Sequence, residues 1–288
     1  MNSQKIAILT DSCADLSAEL IAGKPVYVVP LKIRCPDGEF DDGVTIRAKD
    51  VYARLKMGQL PKTSLPSGES VEKILEQIYA DGYEKVIAVM LSSGLSGTFN
   101  LVRLLSDSME GKLEIRAFDS LAGSIGEGAI VLQLVEEIEA GASWESLVKE
   151  RVPALIANTH TFFTLDTLEY LQKGGRIGKV SAMAGSLLNI KPLLGFAEDG
   201  QLTSVAKVRG RKAVADKLME KVKENLGDHT RFNLFVANGG APEEMAALRV
   251  RMEEAFPGFE HLWEAELDAT LSVYIGDGIL GASVTVLD

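Results

Sequence analysis

The sequence predicts an α/β fold of two domains, the first built on a parallel sheet with flanking helices and the second of mixed α/β architecture. The first domain is indicated by a pattern that occurs three times: an apolar run typical of a buried strand, a polar loop, and a segment with helical spacing of apolar residues. The second is indicated by a change after about residue 158, where hairpin signals replace that alternation. Loops of a parallel sheet gather at the carboxyl ends of its strands, so a ligand site is expected there.

The first strand, helix and second strand are predicted within the first 40 residues. A short apolar run at 6–9 ends in a polar loop, and Ser17 can cap a helix that starts near Ala18. Residues 26–33 form a β-rich run, and the turn-forming residues 36–38 follow it. This is the first occurrence of the alternating pattern.

The pattern continues through residue 138. Apolar residues at 71–80 recur on one helix face, and the continuous apolar run 86–91 is typical of a buried parallel strand. A loop of sequence SSGLSG and a helix through 101–105 follow it. A strand at 115–118 and a helix over 131–138 complete the first half.

The domain boundary is predicted between residues 156 and 157, giving domains of 1–156 and 157–288. It separates an amphipathic helix from the strand-like sequence THTFFTLD. Residues 191–196 and 202–208 then flank an Asp-Gly pair, which is a hairpin signal. The remaining elements are expected to be a helix over 211–225, a strand over 232–237, a helix over 243–256 and strands near residues 262 and 272.

Composition limits the classes of function. The 288 residues are 46% hydrophobic and 25% charged, which suffices for one or two cores. The 30 basic and 41 acidic residues give a formal net charge of −11, which excludes a broadly basic nucleic-acid binder. No apolar run reaches the ~18 residues of a membrane span, and the polar start MNSQ lacks the features of a signal peptide. A cytoplasmic protein is therefore expected.

Three glycine motifs resemble nucleotide or nucleophile sites but lack a necessary part. A G-x-G-x-x-G pattern begins at Gly276, but too few residues follow it for the helix and second strand of a dinucleotide site. The Gly-Lys pair at 178–179 is followed by Val180, which has no hydroxyl for magnesium. In GLSGT, around Ser96, threonine stands where a nucleophile elbow needs glycine. The sequence therefore disfavours a dinucleotide site, a phosphate loop and a serine hydrolase.

Cysteine and histidine residues predict neither a metal site nor an acid–base pair. Cys13 and Cys35 lack paired metal spacing and are expected to be packing residues. A reactive thiol at Cys13 is the alternative, because its loop is otherwise polar. His160 lies in an apolar, strand-like stretch and is expected to be structural. We therefore expect no catalytic residue in this chain.

Hydroxyl side chains are concentrated at predicted strand ends. Each loop alone is typical of turns and helix caps. Together at one edge of a sheet, they would form a pocket of neutral donors that can hold an anion. The residues concerned are Thr10, Ser12, Thr63, Ser64, Ser92, Ser93 and Ser96.

One segment is basic in this acidic chain. Residues 173–212 carry eight basic and two acidic side chains, so 8 − 2 gives a charge of +6. The segment is either an ordinary solvated surface or a docking face for an acidic partner. The basic residues are Lys173, Arg176, Lys179, Lys191, Lys207, Arg209, Arg211 and Lys212.

Five sequence motifs in a fixed order resemble the DegV family of fatty-acid-binding proteins over nearly the whole chain. They are ILTDSCADLS, PKTSLPS, LSSGLSGTFN, FFTLDTLEYLQKGGRIGK and KVRGRKA. The resemblance implies a DegV-like fold of two α/β domains with a lipid between them.

The resemblance also implies a function. Members of the family bind a long-chain fatty acid and present its carboxylate to a separate ATP-dependent kinase subunit, which makes acyl phosphate for phospholipid synthesis. ATP and magnesium would be bound by that partner, and this chain would bind no cofactor. Thr63 and Ser93 match the hydroxyls that hold the carboxylate, with Ser96 close by, and Arg176 and Arg209 match positions implicated in docking or activity with the kinase.

Three positions differ from the family pattern. Leu65 stands where glutamine is usual, Cys13 where threonine is usual, and Tyr274 where the family has histidine. The phenol of Tyr274 can still donate a hydrogen bond to a carboxylate, without the proton-linked behaviour of an imidazole. Two other functions remain open: a stand-alone serine or thiol hydrolase or acyltransferase, and a passive lipid carrier.

Overall fold

The structure is a computed structural model that describes residues 2–183 and 190–288. Its strands, in chain order, are β1 Ile6–Asp11, β2 Val26–Val29, β3 Lys32–Cys35, β4 Gly38–Asp41, β5 Lys62–Ser64, β6 Lys85–Met90, β7 Glu114–Asp119, β8 Thr159–Thr164, β9 Ile190–Phe196, β10 Leu202–Arg209, β11 Phe232–Gly239, β12 Leu262–Glu266 and β13 Ile279–Val286. Its α-helices are α1 Ala18–Ile21, α2 Ala48–Lys56, α3 Gly68–Ala80, α4 Thr98–Leu105, α5 Ile125–Glu139, α6 Trp144–Ser146, α7 Val152–Ala157, α8 Glu169–Lys173, α9 Val214–Leu226, α10 Pro242–Ala255 and α11 Ala269–Ile275.

The first half contains the predicted parallel sheet, in the strand order β2-β1-β6-β7. Alternate residues of each strand face opposite sides of the sheet, so helices cover both faces. Ile6 and Ile8 of β1 pack against α5 and α7, whereas Ala7 and Leu9 pack against α3 and α4. The prediction of a doubly wound parallel sheet is therefore confirmed.

The second half contains a six-stranded mixed sheet, in the order β10-β9-β8-β13-β11-β12. The predicted Asp-Gly hairpin is formed by β9 and β10, which pair antiparallel. Helices α9 and α10 pack on one face of the sheet. The other face contacts Ile125, Ala129 and Leu132 of α5 through Phe235 and Ala237 of β11. Because α5 lies against both sheets, 12 of its 15 residues are buried.

A third sheet, which the sequence did not predict, is antiparallel and has the order β4-β3-β5. The prediction of one β-rich run over 26–33 was wrong in its continuity, because Pro30 and Leu31 separate β2 from β3. The first of these strands joins the parallel sheet and the second the small sheet. Helices α2 and α11 pack on the small sheet.

The prediction of a strand near residue 272 was also wrong. This segment is α11, whose start is capped by the Asp268 carboxylate, which accepts a hydrogen bond from the backbone amide of Leu271 at 2.7 Å. The strand that follows, β13, was missed, although it lies between β8 and β11 in the large sheet. β-Branched residues are frequent in both segments, so propensity alone does not distinguish them.

The predicted boundary at 156/157 falls within the end of α7. Leu155 packs in the core of the parallel sheet, and β8 begins the large sheet at Thr159. The division into two folding domains stays a prediction. Among the described residues, no helix has both the length and the apolar character needed to cross a bilayer.

Candidate ligand-binding site

A cavity of about 250 Å³ lies between the parallel sheet and the large mixed sheet. On one side it is lined by residues from the loops that follow strands of the parallel sheet, including Leu31, Leu91 and Gly123. On the other side Phe163 and Phe196 of the large sheet form part of the wall. The cavity therefore lies at the carboxyl ends of the parallel strands, as predicted. Its volume is close to the roughly 300 Å³ lower bound of small-molecule sites.

Apolar side chains from both halves of the chain form most of the wall. The elements that contribute them are the loops after β2, β5, β6 and β12, the strands β8, β9, β10, β11 and β13, and helices α5, α8 and α11. Such a lining favours a ligand that is apolar over most of its length. The lining apolar residues are Leu31, Leu65, Leu91, Leu95, Ile125, Phe163, Leu171, Phe196, Leu202, Ala237, Leu267, Leu271, Ile275 and Ile279.

Polar groups of the wall meet around Tyr274, which α11 projects into the cavity. Its Oη lies 2.5 Å from Oγ1 of Thr63 on β5. The guanidinium carbon of Arg176 lies 5.2 Å from the centre of the Tyr274 ring, which is within the range of a cation–π contact. Arg176 also donates hydrogen bonds from Nε to the Leu95 carbonyl at 3.3 Å and from Nη1 to the Gly174 carbonyl at 2.8 Å. These contacts bring four distant chain segments together at the cavity.

A glycine next to this cluster is required by the position of the tyrosine ring. A Cβ atom at Gly174 would lie 2.4 Å from Cδ1 of Tyr274, a distance that side-chain carbons do not adopt. Glycine at this position therefore lets the segment before Arg176 pass directly over the ring. The first glycine of the KGGRIG motif thus has a structural role in the site.

Three of the four residues predicted to bind the ligand are brought to the cavity: Thr63, Ser96 and Tyr274. Ser93 is exposed and does not line it, and its backbone amide donates to the Asp119 carboxylate at 3.0 Å. Arg176, predicted as a docking residue, lines the cavity, whereas Arg209 lies exposed at the end of β10. The structure also places Ser124 and Thr270 in the wall, which sequence reasoning missed.

The geometry does not favour a hydrolase. The hydroxyl of Ser96 lies 2.9 Å from the hydroxyl of Thr98, and none of the described residues lining the cavity is a histidine that can act as its base. Cys13 is fully buried, and burial raises the pKa of its thiol well above the usual value. Neither nucleophile is therefore activated.

A group of buried carboxyls lies directly behind the cavity and connects the first half of the chain to α11. Asp15 accepts a hydrogen bond from the backbone amide of Asp268 at 2.7 Å and another from the hydroxyl of Ser124. Asp42 accepts from the backbone amides of Ala269 at 3.0 Å and Thr270 at 3.2 Å. The carboxyls therefore fix the start of the helix that carries Tyr274.

Burial changes the protonation of this acidic group. It raises the pKa of Asp11 to about 6 and that of Asp15 to about 7, and it raises the pKa values of Glu127 and Asp268 well above normal. A sulfur of Cys13 and carboxylate oxygens of Asp42 and Asp268 lie within 4.8 Å of one another, but both Asp42 oxygens already accept backbone amide hydrogen bonds. The arrangement is that of a buried structural cluster, which sequence reasoning missed because its members are far apart in the chain.

Comparison with known proteins places the chain in a family. A family model described as "Uncharacterised protein, DegV family" matches residues 5–286. A DegV domain-containing protein from Clostridium acetobutylicum is 36% identical over 281 residues, which cover 98% of this chain and 99% of that protein. The chain belongs to the DegV family.

Solved structures of the family share the fold. A DegV family protein from Thermus thermophilus, described by its fatty acid binding, superposes with a TM-score of 0.91 at 28% identity and covers all of both chains. A stearic acid-binding protein from Eubacterium ventriosum superposes with a TM-score of 0.88 at 26% identity and covers 98% of each chain. The two-part α/β architecture expected from the sequence is therefore confirmed.

Proposed function

We propose that this protein binds a long-chain fatty acid in the cavity between its two large sheets, with the carboxylate beside Thr63 and Tyr274. The observation that carries the proposal is that the wall is apolar over most of its area, while Thr63 and Arg176 contact Tyr274 at one place in it. A fatty acid has the same division between tail and head. The fatty acid binding described for the Thermus thermophilus and Eubacterium ventriosum relatives supports the proposal.

The two parts of the ligand have different roles in binding. Each buried methylene contributes about 0.8 kcal/mol, so a tail of roughly 14 methylenes contributes on the order of 11 kcal/mol before the costs of association. The carboxylate loses its hydration and needs donors in return. The hydroxyls of Thr63, Ser96 and Tyr274 are such donors, and Arg176 supplies a positive charge nearby. Ser93, which does not line the cavity, is left out of this set.

We further propose that the bound acid is presented to a separate kinase subunit that holds ATP and magnesium and makes acyl phosphate. Thr63 and Tyr274 are only partly buried, and Arg176 is exposed, so this end of the cavity is near solvent. An acid bound there would keep its carboxylate within reach of a partner. A donor set dominated by hydroxyls leaves the carboxylate more nucleophilic than a pair of arginine salt bridges would.

Native mass spectrometry of freshly purified protein tests the binding proposal. A bound acid would add the mass of a long-chain fatty acid, which solvent extraction and chromatography would identify. Leu171→Arg, which places a charge in the apolar wall, is expected to abolish the added mass, because an unpaired charge in this wall is strongly unfavourable. The exposed Arg103→Ala variant is the control and should retain it. Wild-type protein that never retains or takes up an acid would refute the proposal.

Reconstitution with a fatty acid kinase subunit and magnesium-ATP tests presentation. Acyl phosphate, trapped by hydroxylamine, is expected only when both proteins are present. Product made by this chain alone would indicate a self-sufficient enzyme, and an acid that no kinase phosphorylates would indicate a passive carrier.

Arg209→Ala tests the docking role of the basic segment. Arg209 is exposed on β10 and does not line the cavity, so we expect its loss to leave acid content unchanged and to lower product formation severalfold. Arg103→Ala removes an exposed arginine from α4, outside the basic segment, and should change neither. Equal loss of acid content and product in Arg209→Ala would contradict a docking role.

A further inference from the structure

A second cavity lies next to the ligand cavity and has a volume of about 270 Å³. It is bordered by the loop after β7, the end of α7, strands β8 to β10, and α9. None of Thr63, Ser96, Arg176 and Tyr274 borders it. The second cavity therefore adjoins a part of the ligand cavity that does not hold the proposed carboxylate position.

Thr161 and Phe196 line both cavities and so lie where the two approach each other; we call these two residues the partition. Thr161 is fixed in place, because it is buried and its hydroxyl donates to the Ser283 hydroxyl at 3.0 Å. A Cβ atom at Gly126 would lie 2.4 Å from Oγ1 of Thr161, which shows how closely α5 confines this residue.

Phe196 is less tightly packed than Thr161, the other residue of the partition. It is the last residue of β9, immediately before the turn that joins β9 to β10, and it is only partly buried. Its ring packs at a tilt against Phe163, with ring centres 6.4 Å apart. Its ring therefore lies where the two cavities approach each other.

The second cavity can accept apolar chain atoms. Leu121, Ile156, Phe162 and Val205 supply apolar surface to its lining. Polar residues complete the lining: Ser120 and Thr161 are buried, and Thr159, His160, Lys221 and Asn225 are partly exposed. A tail that passed the partition would therefore bury further methylenes against the apolar part of this wall.

We propose that Phe196 sets the upper limit of acyl-chain length in this protein, by separating the ligand cavity from the second cavity. This inference rests on the proposed binding of a fatty acid. In this role Phe196 selects among fatty acids, and longer chains would occupy the second cavity.

The test is competition among saturated fatty acids of increasing length. Stripped protein is loaded with an equimolar mixture from myristate to behenate, and native mass spectrometry gives the distribution of bound acids. In Phe196→Ala we expect the distribution to move to longer acids, with a gain on the order of tenfold in relative binding for two additional buried methylenes. Phe99→Ala removes the ring of another partly buried phenylalanine, on α4, which lines neither cavity, and should keep the wild-type upper limit.

A second variant tests whether the gain uses the second cavity. Val205 borders the second cavity only, so Val205→Phe fills that space from β10 and should return Phe196→Ala to the wild-type limit. Phe196→Leu, which preserves more of the packing, should move the limit in the same direction by a smaller step if Phe196→Ala folds poorly.

Two outcomes distinguish a failure of the role of Phe196 from a failure of fatty acid binding. A wild-type protein that binds acids, with the same upper limit in Phe196→Ala and Phe196→Leu, would overturn the role of Phe196 and leave fatty acid binding intact. A wild-type protein that takes up none of the acids would overturn both.

Discussion

The hydroxyl of Thr63 is the single group whose removal tests the proposed carboxylate position most directly. Thr63→Val keeps the shape of the side chain but removes the hydroxyl that lies 2.5 Å from the Tyr274 Oη. Because a hydrogen bond to a charged group contributes about 1.5–3 kcal/mol, we expect fatty acid affinity to fall roughly 10- to 100-fold. Titration calorimetry with palmitate measures the change. Thr203→Val, on β10 and outside the cavity lining, is the matched control, and equal affinity in both variants would contradict the assignment.

The buried carboxyl of Asp15 predicts how stability depends on pH. Its pKa is raised to about 7 by burial, against about 3.9 in an unfolded chain, so the native state holds a proton that the unfolded chain releases. Its stabilising contribution is complete below about pH 4 and is lost as the pH rises through about 7. Asp15→Asn, whose amide stays neutral, should flatten the fall in unfolding free energy over this range in urea titrations. Asp107→Asn, at an exposed site, should leave the slope unchanged, and an unchanged slope in Asp15→Asn would contradict the expectation.

The sequence predicted some site residues and not others, for physical reasons. Thr63 and Ser96 follow from strand-end position and motif, and both line the cavity. Ser93 belongs to the same loop as Ser96 but is exposed, because the direction of a side chain in an irregular loop is not encoded by any period. Asp15, Asp42 and Asp268 meet only through the tertiary fold, so no local pattern could predict their cluster.

Two elements are in direct backbone contact beside the cavity: the loop after β6 and the β9–β10 hairpin. A Cβ atom at Gly94 would lie 2.6 Å from the carbonyl carbon of Gly200, so Gly94→Ala forces the two elements apart. We expect a loss of about 1–3 kcal/mol in unfolding free energy and faster release of bound acid. Gly68→Ala, at the start of α3, meets only Leu105 at 3.9 Å and should be neutral or slightly stabilising in the same chemical denaturation. Equal stability of the two variants would contradict a requirement for glycine at position 94.

Elements were predictable where the pattern of apolar residues is decisive. The strands of the parallel sheet are buried on both faces and appear as continuous apolar runs, and the Asp-Gly pair marks the hairpin. Helix α11 was predicted as a strand because its short sequence carries threonine, valine and isoleucine, and tertiary packing between α2 and the small sheet outweighs that propensity. The capping signal of Asp268 was present in the sequence and could have identified the helix.

Both parts of the fold form the cavity: the loops after the parallel strands line one side, and the large sheet with α11 lines the other. A fatty acid in it would contact both parts and bind only the folded state. At a free concentration 100 times its dissociation constant, such a ligand adds about 2.7 kcal/mol to the unfolding free energy. For a chain of this size we expect the melting temperature of stripped protein to rise by roughly 4–5 °C on loading.

Two control ligands distinguish the contribution of the tail to this stabilisation from that of the carboxylate. Octanoate carries the same carboxylate on a short tail, and hexadecanol carries a long tail without a carboxylate. Because the tail supplies most of the affinity and the donors around Tyr274 supply the preference for an acid, we expect palmitate to raise the melting temperature most, hexadecanol less, and octanoate least at equal concentration. Differential scanning calorimetry orders the three. Hexadecanol equal to palmitate would show that the polar cluster does not recognise the carboxylate, and identical melting with and without palmitate would show that the cavity does not hold a fatty acid.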